Sequence, residues 1–172
     1  MPPSPYVRTL RNMIGNELLM LQSVTVMLFD DRRRLLLARD AESGLWKTLG
    51  GAVDPDEAPA DAAVRECWEE TGVLIDVTGV LGVFGGCDFR ISYSNGDTSS
   101  YVVTVFEGRV LEGEPRPDGV EITDLCYVSR AESQEMPMAV WTRQMVDRAF
   151  EYDGTPYFAR PSWRPARQGG GD

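Results

Sequence analysis

The chain contains no histidine. That absence removes serine–histidine and cysteine–histidine nucleophile pairs, histidine metal ligands and imidazole acid–base chemistry together. Any catalysis must fall to carboxylates, metal ions, lysine, tyrosine or backbone groups. Cysteine is scarce. Cys67, Cys87 and Cys126 are odd in number, widely spaced and form no Cys-x-x-Cys pair, so a structural zinc site is not expected. They read as reduced, buried thiols, which suits a cytoplasmic protein. Basic residues are in deficit, 17 against 27 acidic ones, for a net charge of −10. A field of that sign repels nucleic acid and anionic membrane, so neither a nucleic acid polymer nor a membrane is the expected partner. Long apolar runs are also missing. The longest, such as those at 18–21 and 26–29, are far too short to cross a bilayer. The opening Met1-Pro2-Pro3-Ser4-Pro5 has no basic stretch leading into an apolar one, so no signal peptide is expected. There are no internal repeats.

A chain of 172 residues is long enough for one domain with a real core. Residues 1–21 read as an extension with a short amphipathic helix over 6–14, residues 22–152 as the domain, and 153–172 as a Pro/Arg/Gly-rich tail, loosely packed. Within the domain, 22–29 is an apolar β-branched strand. The turn 30–33 leads back into a second strand over 34–39, as in a hairpin. Residues 45–53 form an extended segment broken at Gly50-Gly51. A strand over 74–83 bends at Gly79 and Gly82. Asn95-Gly96, between the β-rich runs 88–92 and 99–109, signals a hairpin. A strand over 121–128 and a helix over 136–152 complete the chain. Hairpins require antiparallel pairs, so the expected class is α+β: a mixed sheet between helices in an α-β-α sandwich, with no doubly wound parallel sheet.

The stretch 51–73 organises the rest. It begins as a helix from about Ala58, with Pro59 suited to a first turn and Gly72 to a stop. At 100° per residue, Ala60, Val64, Cys67, Trp68 and Thr71 make one stripe, expected to pack on the sheet. Glu66, Glu69 and Glu70 fall within about a 100° arc on the other side. A lone Glu-x-x-Glu-Glu is most often a solvated acidic face. Three carboxylates this close also repel one another unless a cation sits among them. Hard oxygen ligands in that number suit Mg²⁺ or Mn²⁺. Arg65, four residues before Glu69 and eight after Glu57, is placed to bridge the two. The Gly50-Gly51 bend lets a backbone carbonyl point at the same cation.

Gly51, then Glu57, then Arg65-Glu66-Cys67-Trp68-Glu69-Glu70-Thr71-Gly72-Val73 resembles the signature box of the Nudix family, with Cys67 standing where Ile, Leu or Val is more common. The order of elements from about 22 to 152 resembles that family too. One departure is Thr48-Leu49-Gly50-Gly51 where Leu-Pro-Gly-Gly is usual, and the missing proline removes a restraint on the bend. The resemblance implies a Mg²⁺-dependent hydrolase of the pyrophosphate bond in a small nucleotide, such as ADP-ribose or a nucleoside triphosphate. It implies that Glu66, Glu69, Glu70 and the Gly50 carbonyl hold the metal, with Glu66, Glu69, Arg65 and Glu57 in the catalytic machinery. A carboxylate from the later loop can act as base, Glu121 ahead of Asp118. Trp46, Arg90 and Tyr101 are candidates for contact with the substrate. A nucleotide-binding sensor without turnover is the alternative. The apolar N-terminal helix and the long hairpin suggest a homodimer.

Overall fold

The computed structural model describes residues 4–165. Helix α1 spans Pro5–Ile14, α2 Pro59–Thr71, α3 Arg130–Glu135 and α4 Val140–Glu151. The strands are β1 (Leu19–Leu28), β2 (Leu35–Asp40), β3 (Trp46–Lys47), β4 (Leu74–Phe84), β5 (Arg90–Ser92), β6 (Thr98–Glu112), β7 (Ile122–Val128) and β8 (Tyr157–Phe158). They form a mixed sheet of order β1-β6-β4-β8, with β5 added to β6, and an antiparallel sheet of order β3-β2-β7. The first sheet is mixed because β1 runs parallel to β6 while β4 runs antiparallel to it.

The strand alternation explains the layers. Val24, Val26 and Leu28 of β1, with Leu36 and Ala38 of β2, enter one core with Ala62, Ala63 and Cys67 of α2. Their neighbours Met27, Leu35 and Leu37 enter a second core with Met145, Val146 and Ala149 of α4. Successive side chains point to opposite faces, so the strands are buried on both sides and α2 and α4 cover opposite faces. The expected α-β-α sandwich is what forms.

Several expected elements change in detail. The turn after β1 does not produce a hairpin ladder: only Phe29 bridges Leu35, and β2 pairs instead with β3 and β7. The polar turn lets the chain pass from one sheet to the other. The expected helix over 136–152 starts at Val140, because Pro137 interrupts it, and the shorter α3 precedes it. A capping box defines α3, with Ser129 and Glu132 each satisfying the other's backbone amide. The tail is partly ordered, with β8 running parallel to β4 at Gly82. No Cβ would fit there: it would lie 2.6 Å from the Tyr157 carbonyl oxygen. The bends at Gly79 and Gly82 hold, as register shifts in the β4–β6 ladder. The Asn95-Gly96 hairpin holds as well, joining β5 to β6. The rest of the expected tail, 166–172, lies outside the described residues.

Candidate active site

Helix α2 has no side-chain N-cap. Pro59 starts it, and Gly72 ends it in the left-handed region (φ 71°), its amide bonded to the Trp68 carbonyl. Its buried face matches the expected stripe only in part, at Cys67 and Thr71, with Val64 packed against the core. Ala62, Ala63, Glu66, Cys67, Glu70 and Thr71 are buried, whereas Ala60 is exposed and Trp68 is 56% exposed. The helix is rolled so that two of its glutamates face the protein and its tryptophan faces out. The small side chains Ala62, Ala63 and Cys67 let α2 lie close to the sheet, and that closeness carries Glu66 and Glu70 inside. Burial also drives the Cys67 thiol up to about 12, a neutral packing group; of the other two thiols expected to be buried, Cys87 is exposed and Cys126 is half-buried.

Two cations hold the four box acids. The Arg65 guanidinium donates to both Glu57 oxygens, Nε to Oε1 at 2.8 Å and Nη2 to Oε2 at 2.9 Å. It also donates from Nη2 to the Ala52 carbonyl at 3.0 Å, and from Nη1 to Glu66 Oε1 at 2.8 Å and Glu69 Oε2 at 3.1 Å. Glu57 in turn accepts from the Asp54 amide at 3.0 Å. The expected bridge between loop and helix is present, and it reaches Glu66 as well. The second cation is Lys47 of β3, whose Nζ donates to Glu70 Oε1 at 2.7 Å. The Gly50 amide donates to the other Glu70 oxygen at 2.9 Å. That bond, with the Val24 carbonyl only 2.2 Å from where a Gly50 Cβ would lie, fixes the bend that lacks a proline.

Glu66 is the unusual group. It is 1% exposed, and its Oε2 is buried without a hydrogen-bond partner. Its carboxyl group lies where a Gly51 side chain would be, 2.5 Å from a Cβ built there. Burial pushes its pKa up to about 7, opposed by Arg65 and reinforced by the charges of Glu70 and Glu69. Burial also raises Glu70, against Lys47 and the Gly50 amide. Burial works against the Lys47 ammonium, yet Glu70, Asp40 and Glu121 together hold it above its ordinary value.

A buried carboxylate oxygen with no donor carries a cost that a cation would remove. The chemistry of this donor set therefore fits a hard divalent ion. Among the described residues, no three acidic or thiol side chains stand already gathered about one point; Arg65 holds Glu66 and Glu69, while Lys47 holds Glu70. Glu121 lies on the Lys47 side, near enough for its charge to act on Lys47 and Glu70. Asp118 is engaged by its own loop, accepting from the amides of Val120, Glu121 and Ile122.

The substrate candidates are apart from this cluster. Arg90 is exposed on β5. The Tyr101 hydroxyl is 2.6 Å from that of Tyr93. Trp46 is half-buried against the second core. Lys47 was not anticipated. Its signal was compositional: it is the sole lysine beside 16 arginines.

The NUDIX domain profile matches residues 20–149. The chain belongs to the Nudix family. A MutT-like protein of Streptomyces ambofaciens is 30% identical over 125 residues, 73% of this chain and 74% of that one. A putative 8-oxo-dGTP diphosphatase of Bacillus subtilis is 31% identical over 108 residues, covering 63% of this chain and 66% of that protein, just under two thirds. The crystal structure of a MutT protein from Methanosarcina mazei Go1 covers 80% of this chain and 95% of its own, with a TM-score of 0.64 and 22% identity, a likeness of fold. Nudix hydrolases act on nucleotide pyrophosphate bonds and generally use divalent cations, and this chain is a pyrophosphohydrolase. Among the described residues, no helix is long and apolar enough to cross a membrane.

Proposed function

We propose that this Nudix hydrolase cleaves the pyrophosphate bond of a small nucleotide with Mg²⁺, Mn²⁺ being the alternative ion. The observation that carries the reading is the buried, donorless Glu66 Oε2 inside an Arg65-organised cluster of glutamates. In this reading Glu66, Glu69 and Glu70 hold the ion, with the Gly50 carbonyl beside them. When bound, the ion neutralises phosphate charge and lowers the pKa of a water. Arg65 fixes Glu66 and Glu69 relative to the loop through Glu57, so the carboxylates need little reorganisation. Glu121, whose charge acts on Lys47 and Glu70, takes the proton from the attacking water. Water adds to phosphorus, the bridging P–O bond breaks, and two phosphate-bearing products leave. Trp46, Tyr101 and Arg90 are proposed to contact the base or the distal phosphate.

The name of the Bacillus relative favours a nucleoside triphosphate over a nucleotide sugar such as ADP-ribose. The test is a panel of nucleoside triphosphates and nucleotide sugars with Mg²⁺, reading phosphate released by a coupled phosphatase. Turnover of at least one member is expected, with Glu66→Gln and Glu70→Gln lowering it by about a hundredfold or more. Undiminished turnover in either variant would remove the metal-site assignment. A nucleotide that raises the melting temperature but is never hydrolysed would favour the sensor reading.

A further inference from the structure

Lys47 stands in a place its own composition makes unusual. The chain places arginine at every other basic position, 16 in all, and its single lysine lies against the box helix. There it faces a crowd of acids. Glu70 is 2.7 Å away and 1% exposed. Asp40, Glu121 and Asp118 are near enough for their charges to act on it. Arg65 is committed to Glu57, Glu66, Glu69 and the Ala52 carbonyl, so it does not share this task.

A divalent cation drawn to Glu70 meets an ammonium already on Oε1, and an amide already on Oε2. The two cations compete for one carboxylate. Glu70 is fixed, held on a helix and buried. Lysine is a compact charge on a flexible four-carbon stem with three donors, and the Lys47 side chain is 29% exposed. The lysine is therefore the partner that moves. Once displaced it remains beside the cation, where like charges repel until an anion arrives. The anion that accompanies the cation in this family is a substrate phosphate.

The geometry points to Lys47 as a substrate-binding residue held in reserve on Glu70, released when the cation takes that carboxylate and then bonded to a phosphate of the bound nucleotide. This inference rests on the metal-site reading above. It adds a coupling: cation and phosphate each favour the other's binding through one side chain, reciprocally. An arginine would serve poorly, because its rigid fork is harder to turn within the same space.

Because the chain has one lysine, protein grown on ¹³C-lysine gives a single side-chain Cε resonance. That resonance is expected to shift on adding Mg²⁺ alone and to shift again on adding pyrophosphate, both saturably. In calorimetry with Mg²⁺ present, Lys47→Met is expected to weaken pyrophosphate about tenfold, and Lys47→Arg to fall between it and the wild type. A resonance unmoved by pyrophosphate in the presence of Mg²⁺ would overturn the assignment, as would Lys47→Met binding pyrophosphate as tightly as the wild type. If Lys47→Met fails to fold, with Glu70 left buried without its counter-charge, the wild-type resonance decides by itself. Failure of the underlying reading has a separate mark, undiminished turnover in Glu66→Gln, which the lysine resonance does not report.

Discussion

Arg65 makes five hydrogen bonds to four residues, two of them a fork on Glu57. Lysine has the charge but not the planar fork. Arg65→Lys is therefore expected to lower kcat/KM by about tenfold to a hundredfold, and the melting temperature by several degrees. Steady-state kinetics and a thermal melt check both. Gly51 matters for a different reason: a methyl group there would occupy the space of the Glu66 carboxyl. Gly51→Ala is expected to displace that carboxyl by about an ångström and to reduce kcat/KM by about a hundredfold, with a smaller change in stability. Glu66 also sets a pH dependence in cation-free protein. Its folded pKa of about 7 lies above the ordinary 4.5, so the folded state keeps a proton that the unfolded state releases. Its contribution is greatest below about 4.5 and falls away as pH rises towards 7, by about 3 kcal/mol at full effect. Melts in a chelator at pH 5, 6 and 7 should show that decline, Glu66→Gln should flatten it, and Mg²⁺ should oppose it.

At the scale of elements, α1 is attached rather than packed. None of its residues is buried. Arg11 ties it down by donating to Gly15, Glu17 and Thr98 carbonyls and to the Ser99 hydroxyl, with Asp97 3.6 Å away. Arg11→Ala is expected to abolish hydrogen-exchange protection in α1 while the melting temperature falls by only a few degrees. The ends of α1 and α2 and the Asn95-Gly96 hairpin were legible in sequence because Pro, Gly and Asn-Gly constrain backbone angles locally. The box was legible because its chemistry lies in spacing along one helix. The roll of α2 was not legible. Counting apolar residues put Trp68 inward and the glutamates outward, yet the space against the sheet admits only small side chains, and the bulky one turned out. The passage of β2 into the second sheet escaped notice for a related reason: a polar turn marks a reversal but not the partner beyond it. Lys47 met Glu70 across 23 residues of chain, a pairing that no local pattern encodes.

The whole molecule presents two electrical halves at one site. Arg65 serves the Glu57–Glu66–Glu69 side and Lys47 the Glu70 side, on a chain of net charge −10. A polyanionic substrate is drawn to so acidic a protein only where cations reverse the local sign. Removing divalent cations should therefore abolish nucleotide binding as well as turnover, and equilibrium dialysis with and without a chelator would reveal binding that persisted. The molecule also leaves Tyr6, Met13, Ile14, Leu18 and Met20 exposed near its N-terminal end. We propose that a second copy covers them. Light scattering after size exclusion is expected to give about twice 19.1 kDa, and a monomer mass would refute it.

The outward turn of Trp68 has a practical consequence. Its indole stands more than half exposed, one residue before Glu69, in an open pocket of about 760 Å³ that also contains Arg116 and Asp118. Indole emission responds to water and to nearby charge. With the other three tryptophans replaced by phenylalanine, the box helix would carry its own fluorescent reporter. Stopped-flow mixing could then time the arrival of a cation at Glu69 before any bond is broken.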